Sequence, residues 1–423
     1  MFKFANFTKT LLATAIGTSD TVVNVSTGAG SAFPTLTEGE RFKLVVANTS
    51  TGEEEIMHGT AISSDAITVE RALESTTAKA FPTNSIVYLA KTREVEESLY
   101  RRRRSRLRNG LFRWWDFGTS FATPATTTRV AAGWRVMTSG TVGTFTISRQ
   151  SITPGTAGFD HEPEYSIRWD QTVASGSGAT LRLVSRIEDV RNFAGKTICV
   201  AFWAKTNSGS TNLTVSCRQN FGTGGSPSAD VETTANYPTQ PMTLTAAWKR
   251  YYARISVPSV AGKTFGSNGD NFLEIRFGFT DAVTFQTEIT HVDVAEGPIP
   301  TVMEYLNPAD ERALLNRYYF TTFPNGTAPT QNAGVAGSLA AVVVGAVATS
   351  FNIIFPSKMR TTPTVTTYNP SAANSSARNT SLGADGSTSA VTVTENNAAF
   401  YTSNGSDAAG HVYRVHVTAD ADL

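Results

Sequence analysis

Between EYSIRW (Glu164–Trp169) and HVDVAEGPIP (His291–Pro300) the chain alternates apolar and polar residues, and its breaks are built from Gly, Ser, Asn and Pro. RIEDVRNFAGKTICVAFWAKT (Arg186–Thr206), RYYARISV (Arg250–Val257) and FLEIRFGF (Phe272–Phe279) carry the pattern most clearly. Successive strand side chains point to opposite faces, so this period of two predicts a half-buried antiparallel sandwich of the jelly-roll kind. Tyr251, Ala253, Ile255 and Val257 share one face, with Tyr252, Arg254 and Ser256 on the other. Likewise Leu273, Ile275, Phe277 and Phe279 oppose Glu274, Arg276 and Gly278. TICVAFWAKTNSGSTNLTVSCRQNF (Thr197–Phe221) reads as a hairpin centred on Ser208, pairing Trp203 with Leu213, Ala201 with Val215 and Cys199 with Cys217. A second face then gathers Arg182, Arg186, Arg218, Tyr252, Arg254, Glu274 and Arg276, the most chemically loaded surface in the sequence.

Length and composition bound the rest. A chain of 423 residues holds about three domains of ordinary size. Charged residues are 17% and the formal net charge is +1, so no global field draws the chain to nucleic acid or membrane. Apolar content of 40%, with 24 Phe, fills cores and argues against disorder. Two cysteines make no disulfide framework and read as buried free thiols, although the hairpin reading would allow a cross-strand bridge. The opening MFKFANFTKTLLATAIG lacks the continuous apolar run and cleavage site of a signal peptide, and Val335–Ala348 is too short and Gly-broken to span a bilayer.

In order, residues 1–92 read as a small β domain: TVVNVST, RFKLVVAN, EEIMHGTAI, AITVERA and SIVYLAKT are short strands between turn residues. Residues 93–110, REVEESLYRRRRSRLRNG, form the best helical candidate, with glutamates early and arginines late as the macrodipole favours. Arg101, Arg102, Arg103 and Arg104 suit either a solvated linking helix or contact with an acidic protein surface; no aromatic platform accompanies them for nucleic acid. Residues 111–307 are the sandwich and 308–319 a short helix, PADERALLNRYY. Residues 320–423 carry further strands in FNIIFPSKMRTTPTVTTY, SAVTVTENNAAFYT and HVYRVHVTADADL. The expected fold class is therefore all-β, three β-rich domains joined by short helices.

SRIEDVRNFAGKTICVAFWAKT, QNFGTGGSPSADV, SVPSVAGKTFGSNGDNFLEIRFGF and HVDVAEG, in this order, resemble the carbohydrate-binding-module-like jelly roll of many bacteriophage tail fibres. The resemblance reaches from NGLFRWWDFGTSF at Asn109 to ERALLNRYY at Glu311, roughly half the chain. AFPTLTEGERFKL (Ala32–Leu44) and ALESTTAKAF (Ala72–Phe81) are similar to a small N-terminal domain that anchors such fibres to the virion, a shorter match. FPSKMRTTPTVT, followed by a polar loop and a last strand ending Asp-Ala-Asp-Leu, resembles the distal domain of many fibres. These resemblances imply a homotrimeric virion protein, assembled in the host bacterial cytoplasm, attached to other tail proteins by its N-terminal domain and recognising host surface polysaccharide.

Candidate glycan contacts are Arg218, Tyr252, Arg254 and Arg276 on the polar face and Trp114 and Trp115, whose ring faces would complement a pyranose; core packing is the alternative for the tryptophans. In the distal domain, Tyr368, Phe400 and Tyr401 fall in or beside polar stretches, Asn369–Ser389 and Ala399–Gly410, read as tip loops. Asp160, Glu162 and Asp293 are candidate oxygen ligands for a structural Ca²⁺, with solvated loop carboxylates as the bland alternative. No other cofactor is implied. The five histidines are scattered, and no nucleophile elbow, zincin helix or P-loop appears, so the sequence reads as non-enzymatic. Two alternatives remain: a purely structural head-fibre, decoration or tail-adaptor protein, and a polysaccharide depolymerase using a carboxylate pair.

Overall fold

A computed structural model describes the chain apart from residues 1, 7, 38–39, 91, 93–106, 157, 160, 209–210, 301–304 and 346–347. The expected Arg93–Gly110 helix lies almost wholly outside the described residues, as do Arg101, Arg102, Arg103 and Arg104. The expected all-β class holds: strands dominate, and the one α-helix among the described residues is α1 (Pro308–Asn316). None of the described helices is long and apolar enough to cross a membrane. Described residues up to Thr92 form one compact unit; those from Leu107 onward, apart from Ile299 and Pro300, form a second.

The first unit is a small barrel of β1 (Lys9–Leu11), β2 (Val22–Asn24), β3 (Phe42–Asn48), β4 (Glu53–Ser63), β5 (Ala66–Glu70) and β6 (Ile86–Leu89), hydrogen-bonded in the order β1-β6-β3-β4-β5-β2. A Leu12–Val25 bridge joins the two ends of that order. The ALESTTAKAF loop wraps a carboxylate: fully buried Glu55 accepts hydrogen bonds from Arg71 Nη2 (2.6 Å) and the amides of Ala72 (3.0 Å) and Lys79 (2.9 Å). A buried charge needs such pairing.

In the second unit, two sheets face one another. One contains β7 (Ser120–Ala122), β10 (Phe145–Ser151), β11 (Tyr165–Gln171), β13 (Thr197–Ser208), β17 (Lys249–Ser256) and β19 (Phe285–Glu296), in the order β17-β13-β19-β11-β10-β7. The other contains β8 (Arg129–Ala131), β9 (Trp134–Ser139), β12 (Thr180–Glu188), β14 (Asn212–Asn220), β15 (Val231–Thr234) and β18 (Phe272–Phe279), in the order β15-β14-β18-β12-β9-β8, with β16 (Met242–Thr243) beside β14. Their inner faces share one core, including the expected Tyr251, Ala253, Ile255 and Val257 and Leu273, Ile275, Phe277 and Phe279.

The expected hairpin does not form. β13 pairs with β17 and β19, whereas β14 pairs with β15, β16 and β18, so the two strands lie in opposite sheets. TICVAFWA is apolar on both faces, and alternation alone cannot tell which set turns inward. The core takes Ile198, Val200, Phe202 and Ala204, leaving Cys199, Ala201 and Trp203 on the outer face. Cys199 and Cys217 are therefore not cross-strand neighbours; both are buried free thiols.

α1 begins at Asn307, whose side chain caps the Ala309 amide, and Pro308 suits the first turn. It leads to β20 (Tyr319–Thr321), β21 (Leu339–Val342), β22 (Thr349–Ile354), β23 (Thr364–Tyr368), β24 (Ala377–Asn379), β25 (Ala384–Val393), β26 (Asn397–Ser403) and β27 (Val412–Asp420). β27 is the spine, pairing along its length with β20, β21, β23 and β24. The stretches read as tip loops hold β24, most of β25 and β26. β24 buries Ala377 and Asn379, too small or polar to announce a strand, whereas β26 buries Phe400 and Thr402, the end of the SAVTVTENNAAFYT stretch also read as a strand.

The chain's last residues dock on the jelly roll. Arg129 Nη2 donates to Asp420 Oδ2 (2.5 Å), Arg135 Nη2 to Asp422 Oδ2 (2.9 Å) and to the Leu423 carbonyl (2.7 Å), and Arg108 stands 3.6 Å from Asp422. Burial raises the Asp422 carboxyl, but the charges of Arg108, Arg135 and Arg129 overcome it and hold it below the ordinary range. Arg317 and Tyr318 add a second clamp on Glu188, at 2.8 Å and 2.6 Å. Asp422→Asn removes the carboxylate shared by Arg108, Arg129 and Arg135 while leaving Arg129 its Asp420 and Arg135 the Leu423 carbonyl, so we expect a loss of about 1–3 kcal/mol. Calorimetry should then show the distal strands melting before the jelly roll.

Candidate functional site

Outer-facing residues of β12, β14 and β18 meet as the alternation predicts. Glu274, with no exposed surface, accepts from Arg186 Nε (3.0 Å), Arg218 Nη2 (3.0 Å) and Arg276 Nε (2.8 Å). Burial raises this carboxyl, yet the charges of Arg218, Arg186 and Arg276 outweigh it and leave it below the ordinary range. Arg276 also donates to Glu232 (2.6 Å), and Arg218 to Asp230 (3.0 Å). Arg186 donates to the Leu423 carbonyl. Arg218 and Arg276, proposed from sequence as glycan contacts, are thus structural charges already held by carboxylates.

Tyr252 and Arg254 do not join this face. They lie on β17 in the opposite sheet, where Tyr252 donates to the Tyr237 hydroxyl (3.2 Å) and the Arg254 guanidinium lies 3.8 Å from the centre of the Tyr237 ring. Alternation within a strand says which side chains share a face but not which sheet the strand joins, and β17 pairs with β13 in the sheet opposite β14.

Trp115 is fully buried in the core, with Nε1 donating to the Phe112 carbonyl (2.6 Å), and cannot stack on a sugar. Half-buried Trp114 donates to Glu311 Oε2 (3.2 Å) under Arg312, so this pair joins the jelly roll to α1. Tyr368 meets Phe323 edge-on at 5.3 Å, whereas Tyr401 is 46% exposed on β26. Of the Ca²⁺ candidates, Asp160 lies outside the described residues, Glu162 is exposed and Asp293 is buried in β19; among the described residues no metal-ligating trio forms.

Two features escape sequence reading. At one end of the charged face, a pocket of about 280 Å³ is lined by Thr180, Arg182, Asn212, Thr214, Glu232 and Gly278, among others. Arg182 and Glu232 form an ion pair at its wall (3.0 Å) while keeping 31% and 40% of their side-chain surface exposed. Hydroxyl, amide and charged groups converge here on an open concavity, the donor set a sugar uses. The signal was Gly278, which breaks the polar face of β18 with an empty position.

On the other sheet, Phe159 sits among Trp203 (4.8 Å between ring centres), Trp248 (5.6 Å) and His291 (5.6 Å, stacked). His161 stands 6.2 Å from His291 and 4.2 Å from Tyr305. Two of the histidines read as scattered therefore meet, across more than a hundred residues of sequence. His291 lies at a bulge in β19, opposite Ala201–Trp203, with φ 53°. Burial, and then the charges of His161 and Arg250, push its imidazole down to about 3. Nearby, Glu288 accepts from Ser166 (2.8 Å) and Arg168 (2.6 Å).

No family model and no curated protein matches the chain. Among solved structures it is similar to the enzymatically active domain of a tailspike protein of bacteriophage CBA120, at 18% identity and TM-score 0.26 over 39% of this chain. This chain spans 20% of that one. It is similar to a sugar-binding protein from Bacteroides thetaiotaomicron, described as putative, at 16% identity and TM-score 0.32, over 46% of this chain and 100% of that one. A carbohydrate-binding module in complex with β-1,4-galactotriose follows at 14% identity and TM-score 0.27, over 46% and 99%. None of these sets a family for this chain.

The depressed imidazole has a pH consequence. The unfolded His291 binds a proton below 6.5, the folded one not until about 3, so its contribution is full above 6.5 and lost as pH falls. The slope for this one group reaches about 1.4 kcal/mol per pH unit. Glu274 and Asp422, depressed from 4.5 and 3.8, add a further loss only below those values. His416, whose imidazole burial also holds below 6.5, titrates in the same window, so urea unfolding of His291→Phe should shrink the decline between pH 6.5 and 4.5 without abolishing it and keep the one below.

Proposed function

We propose that this chain is a structural bacteriophage tail-fibre protein that binds host surface polysaccharide through its jelly roll. The reading rests first on the order of its segments, which resembles an attachment domain, a carbohydrate-binding jelly roll and a distal domain. The observation that carries glycan recognition is the open polar pocket of Arg182, Asn212, Thr214 and Glu232, beside arginines already paired with carboxylates. A virion location, attachment through the N-terminal barrel and a homotrimeric state follow from the resemblance. Three copies would raise weak single-site binding through avidity.

The protein acts without catalysis on this reading. A glycosidase needs two carboxyl groups flanking the scissile bond. The pocket lining supplies one, Glu232, and both of its oxygens are held by Arg182 and Arg276.

Gly278 gives a clean test. A Cβ built there meets only ordinary contacts, the closest being the Thr214 carbonyl oxygen at 3.7 Å. Gly278→Val therefore fits the strand and fills the pocket floor. We expect unchanged folding and at least tenfold weaker binding to an array of bacterial surface polysaccharides, at roughly the cost of one displaced sugar contact set. Undiminished binding by the folded variant would remove the pocket from the proposal, and absence of any binding by the parent chain would favour a purely structural virion role.

A further inference from the structure

The cluster around Phe159 is arranged unlike ordinary core. Phe159 belongs to the segment between β10 and β11, whose neighbours Thr153–Thr156 and Gly158 are exposed. Its benzene ring occupies a box walled by two half-buried indoles, Trp203 and Trp248, and by the face of His291. This box stands on the outer face of the β13–β19 pair, away from the shared core.

His291 is the anomaly. It is 4% exposed, yet among the described residues neither ring nitrogen has a hydrogen-bond partner. A buried polar group left so costs about 1–3 kcal/mol. A left-handed backbone at a non-glycine residue costs a comparable amount, and such strain clusters at functional sites. An apolar residue at position 291 would avoid the first cost altogether. An imidazole held at a bulge beneath an aromatic ring from a loop, its nitrogens unpaired among the described residues, fits a ligand that brings its own hydroxyls.

We propose that the Phe159 ring is a built-in occupant of a second carbohydrate subsite, and that a pyranose ring enters by displacing it from the Trp203–Trp248–His291 box. A pyranose has the six-membered outline of the benzene ring, an apolar CH face for the indoles, and hydroxyls around its rim that reach the imidazole nitrogens. A cationic guest is disfavoured, because Lys205 lies 5.1 Å from the centre of the Trp248 ring and the charge of Arg250 already acts on His291. The Phe159 ring thus lowers apparent affinity by the fraction of time the box is filled. This subsite is on the opposite sheet from the Gly278 pocket and does not depend on it.

The test is tryptophan-fluorescence titration of the full chain with cellotetraose and with tetragalacturonate, probes that separate neutral from acidic pyranoses. Phe159→Ala empties the box and should tighten binding of at least one probe by about tenfold. Trp248→Ala should weaken it by about tenfold or more, with Trp248→Phe recovering part. His291→Phe, which keeps the packing, should lose binding while remaining folded. Gly278→Val should leave this titration unchanged even where array binding falls, so the two sites fail separately. The proposal is overturned if Phe159→Ala, shown folded by calorimetry, binds neither probe, or if Trp248→Ala binds as well as the parent chain. Preferential binding of phosphocholine in place of either sugar would overturn the ligand class.

Discussion

One buried carboxylate and the guanidinium groups around it hold the second unit together. Glu274 lies at the centre of a strand face, without water, and is tolerable there only because Arg186, Arg218 and Arg276 converge on it. Those arginines come from three adjacent strands, β12, β14 and β18, so the network also fixes their register. Arg186 carries the network onward to Leu423, and Arg135 and Arg129 extend it to Asp422 and Asp420. The distal strands are seated by the same charges that stabilise the jelly-roll face.

This use of charge leaves the loaded face with little hydrogen-bonding capacity to spare. A guanidinium already shared between two carboxylates has little to offer a neutral hydroxyl. On the proposed reading, recognition is left to the edges of the charged system, where Arg182 and Glu232 remain partly wet, and to the opposite sheet, where aromatic rings stand outside the core. The N-terminal barrel follows a similar rule on a smaller scale, with Glu55 as the buried charge that a loop folds around.

Much of the fold was legible because its strands alternate strictly. β17 and β18 show one apolar and one polar set each, and both were assigned correctly. β13 failed because both of its faces are apolar, and only the facing sheet decides which set is core. Alternation also does not say which sheet a strand joins: the assumed hairpin made a cysteine pair that does not exist, and the outer faces of two opposite sheets were merged into one, which put Tyr252 and Arg254 on the wrong surface. The Phe159 box was hidden for another reason: it joins residues 159, 203, 248 and 291, and no local pattern links them. Trp114 and Trp115 were legible as an aromatic pair with packing as one reading, but the partner of Trp114 was not, since Glu311 is nearly two hundred residues away.

The central structural claim is that the jelly roll and the distal strands open as one body through the Glu274–Asp422 charge system. Native-state hydrogen exchange measures this directly on the unaltered chain. The slowest amides of β18 and β27 should exchange with the same opening free energy and respond together to added denaturant. Exchange of β27 at a clearly lower opening energy, with β18 still protected, would contradict the account.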